Sequence, residues 1–209
     1  MKFISLISSG IDSPVATFLL SKISEEIILV HGDTRPFTDN HEMENFKKLA
    51  KFLDKITSCK IKVILIPHGD SLSEFKQNCT NRYTCVFCKR MLLRYAEKIA
   101  EKEKADAIIM GDSLGQVASQ TLQNIKVIDQ AVSIPVLRPL IGLDKEDVVK
   151  IAKEIGTYEL SILKSEGCTA VPNKPSTKAK LETILEEESK IDIKKLVNNV
   201  VKQSSAIKP

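Results

Sequence analysis

The sequence predicts an α/β fold, a doubly wound parallel sheet of about five strands with helices on both faces. Three observations lead there. Short β-branched runs recur along the chain as KFISLI (2–7), IILV (27–30), KVILI (62–66), DAIIM (106–110) and SIPVL (133–137). Their apolar residues are continuous rather than alternating, as in strands buried on both sides. The stretches between them, such as NHEMENFKKLAKFLDKI (40–56) and CKRMLLRYAEKIAEKEK (88–104), carry apolar residues three and four apart and read as amphipathic helices.

The first strand runs through LISSGIDSPVA (6–16) into a helix. Ser13 before Pro14 would cap that helix, with Pro14 at the first helical position and Gly10 easing the turn. One side-chain oxygen suffices for a cap, so Ser8, Ser9 and Asp12 are left without a purpose. A loop of backbone N–H groups at the positive end of a helix dipole cradles phosphate oxygens, and small residues at Ser8, Ser9 and Gly10 allow close approach. The Gly-Lys-Ser/Thr ending of the common P-loop is missing. No lysine is placed to grip a γ-phosphate, so kinase-like transfer is not indicated.

The second strand leads into VHGDTRPFT (30–38), where His31 is either a titrating group or a hydrogen-bonded loop residue. TCVFCKRM (84–91) sets Cys85 and Cys88 at the start of a helix, where the dipole, Lys89 and Arg90 would lower thiol pKa values. MGDSLGQVASQTLQN (110–124) follows the fourth strand and offers Gly111, Gln116, Ser119, Gln120 and Thr121 as a polar edge for a nucleotide or a base. LDKEDVVKIAKEIG (143–156) is a helix capped by Asp144 and stopped by Gly156. GCTAVPNKPSTKAK (167–180) is a loop by its Gly, Pro and Asn content. Lys174 and Lys178 in it are either phosphate contacts or solvated side chains. Residues 178–202 read as one or two charged helices without further strands, and SSAIKP as a frayed end. The expected organisation is one domain over 1–180 with a helical tail, 181–209, packed on it.

Hydrophobic content of 43% and charged content of 28% are ordinary for a globular chain. The net charge of +4, from 31 basic and 27 acidic residues, permits an RNA partner without requiring one. The apolar stretch from Phe3 to Ile7 is too short for a signal peptide, and no run is long enough to span a bilayer. No membrane partner is expected, and the location is read as cytoplasmic. Five cysteines, at 59, 79, 85, 88 and 168, form an odd set, which favours catalytic or metal-binding thiols over a disulfide framework. A lone Cys-x-x-Cys also arises from packing, and no second one is present to complete a zinc site. Cys168 supplies a third soft ligand, and three thiolates suit an iron–sulfur cluster with one unprotected iron. Cys59 fits poorly, and Cys79 is a spare ligand.

Taken together these segments resemble a known family. Ser8-Ser9-Gly10-Ile11-Asp12-Ser13 resembles the PP-loop of ATP pyrophosphatases, and the continuation Pro14-Val15-Ala16 resembles the tRNA 4-thiouridine synthetases, the ThiI-type sulfurtransferases. Similar positions continue through His31 with Pro36-Phe37-Thr38, Lys89-Arg90-Met91, Gly111 to Thr121 with Asn124, and Arg138-Pro139-Leu140. Asp144-Lys145-Glu146 and Cys168 with Lys174 to Ala179 complete the match, which spans about residues 3–180. The resemblance implies that ATP lies on Ser8, Ser9, Gly10, Ile11, Asp12 and Ser13, with His31, Gly111, Gln116 and Gln120 also at the nucleotide. It implies that a uridine carbonyl oxygen attacks the α-phosphorus, pyrophosphate leaves, and sulfur then displaces AMP to give 4-thiouridine in tRNA. Asp12 would be the key acid, holding Mg²⁺ or positioning the phosphates.

No rhodanese segment follows residue 180, so the resemblance is to the archaeal branch, in which Cys85, Cys88 and Cys168 would bind an iron–sulfur cluster needed for thiolation. Two positions depart from the family pattern: Ser9 replaces a glycine and Asp112 a glutamate. The chain opens at the PP-loop strand, whereas family members carry an N-terminal THUMP region that grips tRNA. The expected partners are therefore tRNA, bound weakly by this chain alone, a separate THUMP-type subunit, and sulfide or another sulfur donor. A homodimer is left open. The alternatives are a PP-loop sulfurtransferase of a different or smaller substrate, and a nucleotide-binding subunit without adenylation activity.

Overall fold

The computed structural model describes residues 1–209. The chain runs β1 (Lys2–Leu6), α1 (Asp12–Ser21), β2 (Glu26–Asp33), α2 (Asn40–Ile56), β3 (Lys60–Pro67), α3 (Gly69–Asn78), α4 (Thr84–Glu103) and β4 (Ala107–Ile109). It continues with α5 (Leu122–Asp129), β5 (Val136–Leu137), α6 (Lys145–Glu154), α7 (Tyr158–Ser161), α8 (Leu181–Glu188), α9 (Ile193–Gln203) and β6 (Ser205–Ile207). Single turns of 3₁₀ helix precede α4 and α5. No helix is long and apolar enough to cross a membrane.

The strands form one sheet in the order β5-β4-β1-β2-β3-β6. The first five are parallel, as the continuous apolar runs predict, with Phe3 opposite Ile27 and Ile4 opposite both Ile28 and Ile108. Side chains alternate between two cores because successive Cβ atoms of a strand point to opposite faces. Ile4, Ile28, Val30 and Ile108 meet Phe87, Met91 and Tyr95 of α4 on one face. Phe3, Ile27, Leu29 and Ile109 meet Val15 of α1, Phe46 of α2 and Val148 of α6 on the other.

The sixth strand is the departure from the predicted topology. Ser205–Ile207 is not frayed: it pairs antiparallel with β3, Ile207 opposite Val63 and Ser205 opposite Leu65. Three residues are too few for an alternation to be read from sequence, and what fixes them is the open edge of β3, whose backbone groups need partners. Between α7 and β6, α8 and α9 are helical as expected. Glu188 of α8 accepts hydrogen bonds from Arg90 at 2.8 and 2.9 Å and from Arg94 at 2.8 Å, which ties α8 to α4 through a buried ion pair.

The chain leaves β1 towards β2 on one side, while β4 lies on the other side of β1. Connections therefore diverge at the carboxyl ends of β1 and β4, the place where open α/β sheets bind ligands.

Candidate active site

The loop after β1 folds on itself before α1 begins. Ile11, already helical in backbone, occupies the N-cap position and Asp12 is the first helical residue, so Ser13 is not the cap and Pro14 stands third rather than first. Proline is tolerated there because the first-turn N–H groups have no intrahelical partner. The Ser13 hydroxyl instead turns back into the loop, accepting from the Ser8 backbone N–H at 2.9 Å and lying 3.2 Å from Ser8 Oγ. Gly10 N–H donates to Ser8 Oγ at 3.3 Å.

Gly111, just past β4, is required by this loop. A Cβ on it would lie 2.7 Å from both the backbone nitrogen and Cα of Ser13 and 2.9 Å from the carbonyl carbon of Asp12. The start of α1 thus rests directly on the backbone after β4.

Between these two strand ends lies a cleft of about 400 Å³. Ser8, Gly10, Ile11, Asp12 and Ser13 line it, together with His31, Gly111 and Gln120. Lys89, Asp112, Thr34, Thr38 and Glu42 complete much of the wall, and Ser165 to Cys168 close it. The β1 loop, the β4 end and Cys168 therefore share one chamber.

Two predicted nucleotide residues are not in its lining. Ser9 is buried, and Glu42 of α2 takes its backbone N–H at 3.2 Å and its hydroxyl in a short hydrogen bond. Gln116 lies between Gly115, at φ +78°, and the 3₁₀ turn Ala118–Gln120, and it is Gln120 that reaches the cleft. Glu42 itself escaped sequence reading, although Asp39 and Glu42 have capping-box spacing. Asp39 accepts from the Glu42 N–H at 3.1 Å, but the Glu42 carboxylate reaches across to the β1 loop rather than back to its own cap.

Asp12 Oδ1 accepts from Lys145 Nζ of α6 at 2.7 Å, a partner close in space and 133 residues away in sequence. His31 is the hydrogen-bonded alternative: buried, stacked on Phe46 with centroids 4.0 Å apart, its Nδ1 2.9 Å from the Ile7 carbonyl oxygen. Burial pushes its imidazole pKa down, so the ring is neutral near pH 7. Asp112 accepts from Lys89 at 2.5 Å and from Arg138 Nε at 2.9 Å, and Gln120 Nε2 lies 3.4 Å away. Burial raises the Asp112 carboxyl, but Lys89 and Arg138 outweigh it and hold the group below the usual carboxylate range.

All five cysteines are free thiols. Cys85 and Cys88 lie in the first turns of α4, as predicted, yet their thiols are not activated. Burial pushes Cys88 up to about 12 and raises Cys85; the neighbouring Cys168 adds to both rises, and Cys85 adds to that of Cys88. Of the cations expected to oppose this, Lys89, paired with Asp112, lowers both values by less than burial raises them, and Arg90 is engaged with Glu188. Cys59 is buried beside β3. Cys79 is no spare ligand: its thiol donates to the Glu187 carbonyl oxygen at 3.3 Å, against α8.

Cys168 is placed by the β2–α2 region. Thr169 N–H donates to the Phe37 carbonyl at 2.8 Å, Glu166 N–H to Asp39 at 3.2 Å, and Asn45 Nδ2 to the Leu163 and Lys164 carbonyls at 3.3 Å. Downstream, Asn124 fastens 176–179, donating to the Ser176 carbonyl at 2.7 Å and accepting from Ala179 N–H at 2.9 Å. Lys174 lies on a separate groove of about 550 Å³ with Lys76 and Arg82. Three neighbouring thiols are a donor set suited to a soft metal cluster. No three His, Cys, Asp or Glu side chains are already gathered as a metal cage.

A family model described as thiamine biosynthesis protein (ThiI) matches residues 1–193. A probable tRNA sulfurtransferase of Methanothermobacter thermautotrophicus is 41% identical over 98% of this chain and 53% of its own length. The chain thus spans about half the length of the curated relatives it matches. The crystal structure of a 4-thiouridine synthetase–RNA complex with bound ATP superposes with a TM-score of 0.93 at 32% identity, covering 99% of this chain and 55% of that one. An NH₃-dependent NAD synthetase of Campylobacter jejuni, at TM-score 0.57 and 16% identity, shares the fold alone. With the family model covering nearly the whole chain and the motifs of both strand ends in one cleft, the chain belongs to the ThiI family.

Proposed function

We propose that this chain is the catalytic part of an ATP-dependent tRNA sulfurtransferase that converts a uridine to 4-thiouridine. The observation that carries the reading is the shared cleft, which sets a phosphate-cradling loop and Cys168 around one chamber. The relatives' names and the ATP–RNA complex of the 4-thiouridine synthetase support the substrate pair.

In this reading the triphosphate lies on the Ser8–Ser13 loop at the positive end of α1. The uridine carbonyl oxygen attacks the α-phosphorus, a phosphorus–oxygen bond forms, and the bond to pyrophosphate breaks. Sulfur then adds at the activated carbon, the carbon–oxygen bond breaks and AMP departs. Asp12 orients the phosphates through charge and Lys145 supplies a cation beside it. Mg²⁺, when bound by Asp12, would neutralise phosphate charge. Cys85, Cys88 and Cys168 would hold an iron–sulfur cluster, which supplies a binding place for the incoming sulfur. Lys89, Arg138 and Asp112 keep the cleft floor rigid and its charge balanced. With a net charge of +4 these residues have little electrostatic grip on RNA, and a THUMP-type region supplies the hold on tRNA for a reaction in the cytoplasm.

The test is to incubate anaerobically purified protein with ATP, sulfide and bulk tRNA and to digest the RNA to nucleosides. 4-Thiouridine, AMP and pyrophosphate are expected. AMP without a thiolated base points to another substrate, and ADP with phosphate overturns the adenylation step.

A further inference from the structure

His68 follows β3 and opens α3, and its side chain is completely buried. Its backbone is fixed from both sides, with its N–H donating to the Asp33 carbonyl at 2.7 Å and its carbonyl accepting from Leu72 N–H at 3.2 Å. The imidazole packs edge-on to Tyr95, with ring centroids 5.7 Å apart. Gly32 makes room beside it: a Cβ there would lie 2.7 Å from Leu92 Cδ2 and 3.5 Å from His68 Cβ. Nε2 lies 3.3 Å from Cys88 Sγ, while Nδ1 is buried with no partner. The Tyr95 hydroxyl pairs with Ser71 Oγ at 2.7 Å.

The orphaned Nδ1 decides the tautomer. A proton there would be a buried N–H donor with nothing to bind, which is the rarer and costlier kind of unpaired group. The proton therefore sits on Nε2 and faces the sulfur. We propose that His68 is a positioning residue for Cys88: an imidazole whose Nε2–H donates to the Cys88 sulfur and orients it as a thiolate ligand to a soft metal. Hydrogen bonds to an ionised acceptor are roughly twice as strong as neutral ones, so the contact gains strength as the thiol loses its proton. No other side chain hydrogen-bonds Cys88, Lys89 being turned to Asp112.

The inference rests on Cys88 acting as a sulfur ligand, and the experiment separates the two. In reduced, metal-free protein labelled with ¹⁵N-histidine, the long-range proton–nitrogen pattern of His68 should show the Nε2–H tautomer. Cys88→Ala should shift the Nε2 resonance and leave those of His31 and His41 in place. An Nδ1–H tautomer, or no shift on Cys88→Ala, overturns the proposal without reference to any metal. Cd²⁺ is then titrated into the same protein and followed by thiolate-to-cadmium absorption. His68→Leu should weaken binding about tenfold, the usual effect of removing a partner of a metal ligand, and His68→Gln, which returns an N–H near the Nε2 position, should restore most of it. Equal affinity of wild type and His68→Leu would overturn the proposal. If wild type binds no Cd²⁺ through Cys88, the cluster reading fails while the tautomer measurement still decides the role of His68.

Discussion

Gly111 and Ser13 meet backbone to backbone: a Cβ on Gly111 would stand 2.7 Å from the Ser13 nitrogen. Neither side is the flexible end of a side chain, so the clash of Gly111→Ala must be relieved by moving α1 or the end of β4. We expect a loss of about 2 kcal/mol in urea unfolding, within the range for overpacked sites. ATP affinity should fall at least about tenfold by calorimetry, because the loop and the helix start move together. A variant of unchanged ATP affinity would show that the loop does not bind phosphate.

Asp12 and Lys145 form a partly exposed pair, with side chains 24% and 50% accessible. Such pairs contribute about 0–1 kcal/mol, so Asp12→Asn should leave the urea midpoint nearly unchanged. Adenylation should nonetheless drop about 10²-fold, as for other lost charges at a reacting centre. Pyrophosphate release in a coupled assay measures this. Near-normal turnover would remove Asp12 from the chemistry.

The five parallel strands and the two strand-end loops could be read from sequence because local signals carried them: apolar runs, the Ser-Gly-Asp loop, the Asp144 cap and the Gly156 stop. The cap and stop appear as predicted, Asp144 accepting from Asp147 N–H at 2.9 Å and Gly156 adopting φ +82°. What escaped reading depends on distant partners. Glu42 reaches Ser9 from 33 positions away, β6 exists only because β3 has an open edge, and His68 meets Cys88 only once α3 and α4 pack. The thiol pKa values went the other way for the same reason. Proximity in sequence placed Lys89 and Arg90 beside the cysteines, but folding buried the thiols and gave Arg90 to Glu188, leaving Lys89, paired with Asp112, as a minor opposing charge.

Asp112 is nearly buried between Lys89 and Arg138, with 5% of its side chain exposed. Asp112→Asn leaves Lys89 without its counter-charge and Arg138 with Asp129 alone, for an expected loss of about 3 kcal/mol. The sign with pH follows from its depressed carboxyl pKa. Its stabilisation is complete above the unfolded value of about 3.9 and is lost as pH falls from there through the lower folded value. Urea midpoints measured from pH 6 down to 2.5 should therefore fall more steeply for wild type than for Asp112→Asn. Parallel curves would mean that Asp112 titrates alike in both states.

The cysteine set gives the sharpest separation of roles. Cys168 lines the cleft, Cys85 and Cys88 are close enough for its charge to raise their values, and Cys59 and Cys79 are held elsewhere. Alanine at 85, 88 or 168 should each abolish thiolation while leaving pyrophosphate release within about threefold, since none of the three hydrogen-bonds to the β1 loop. Cys59→Ala and Cys79→Ala should keep thiolation, at a stability cost of about 1 kcal/mol for a small cavity. Elemental analysis of anaerobically prepared protein should find iron in wild type and in the Cys59 and Cys79 variants, and little in the other three. The side chains are not already gathered as a cage, so cluster assembly must draw the 165–168 segment towards α4. Protection of that segment from backbone hydrogen exchange should then rise on reconstitution. Iron-free wild-type protein that still thiolates tRNA would assign the sulfur step to the thiols alone.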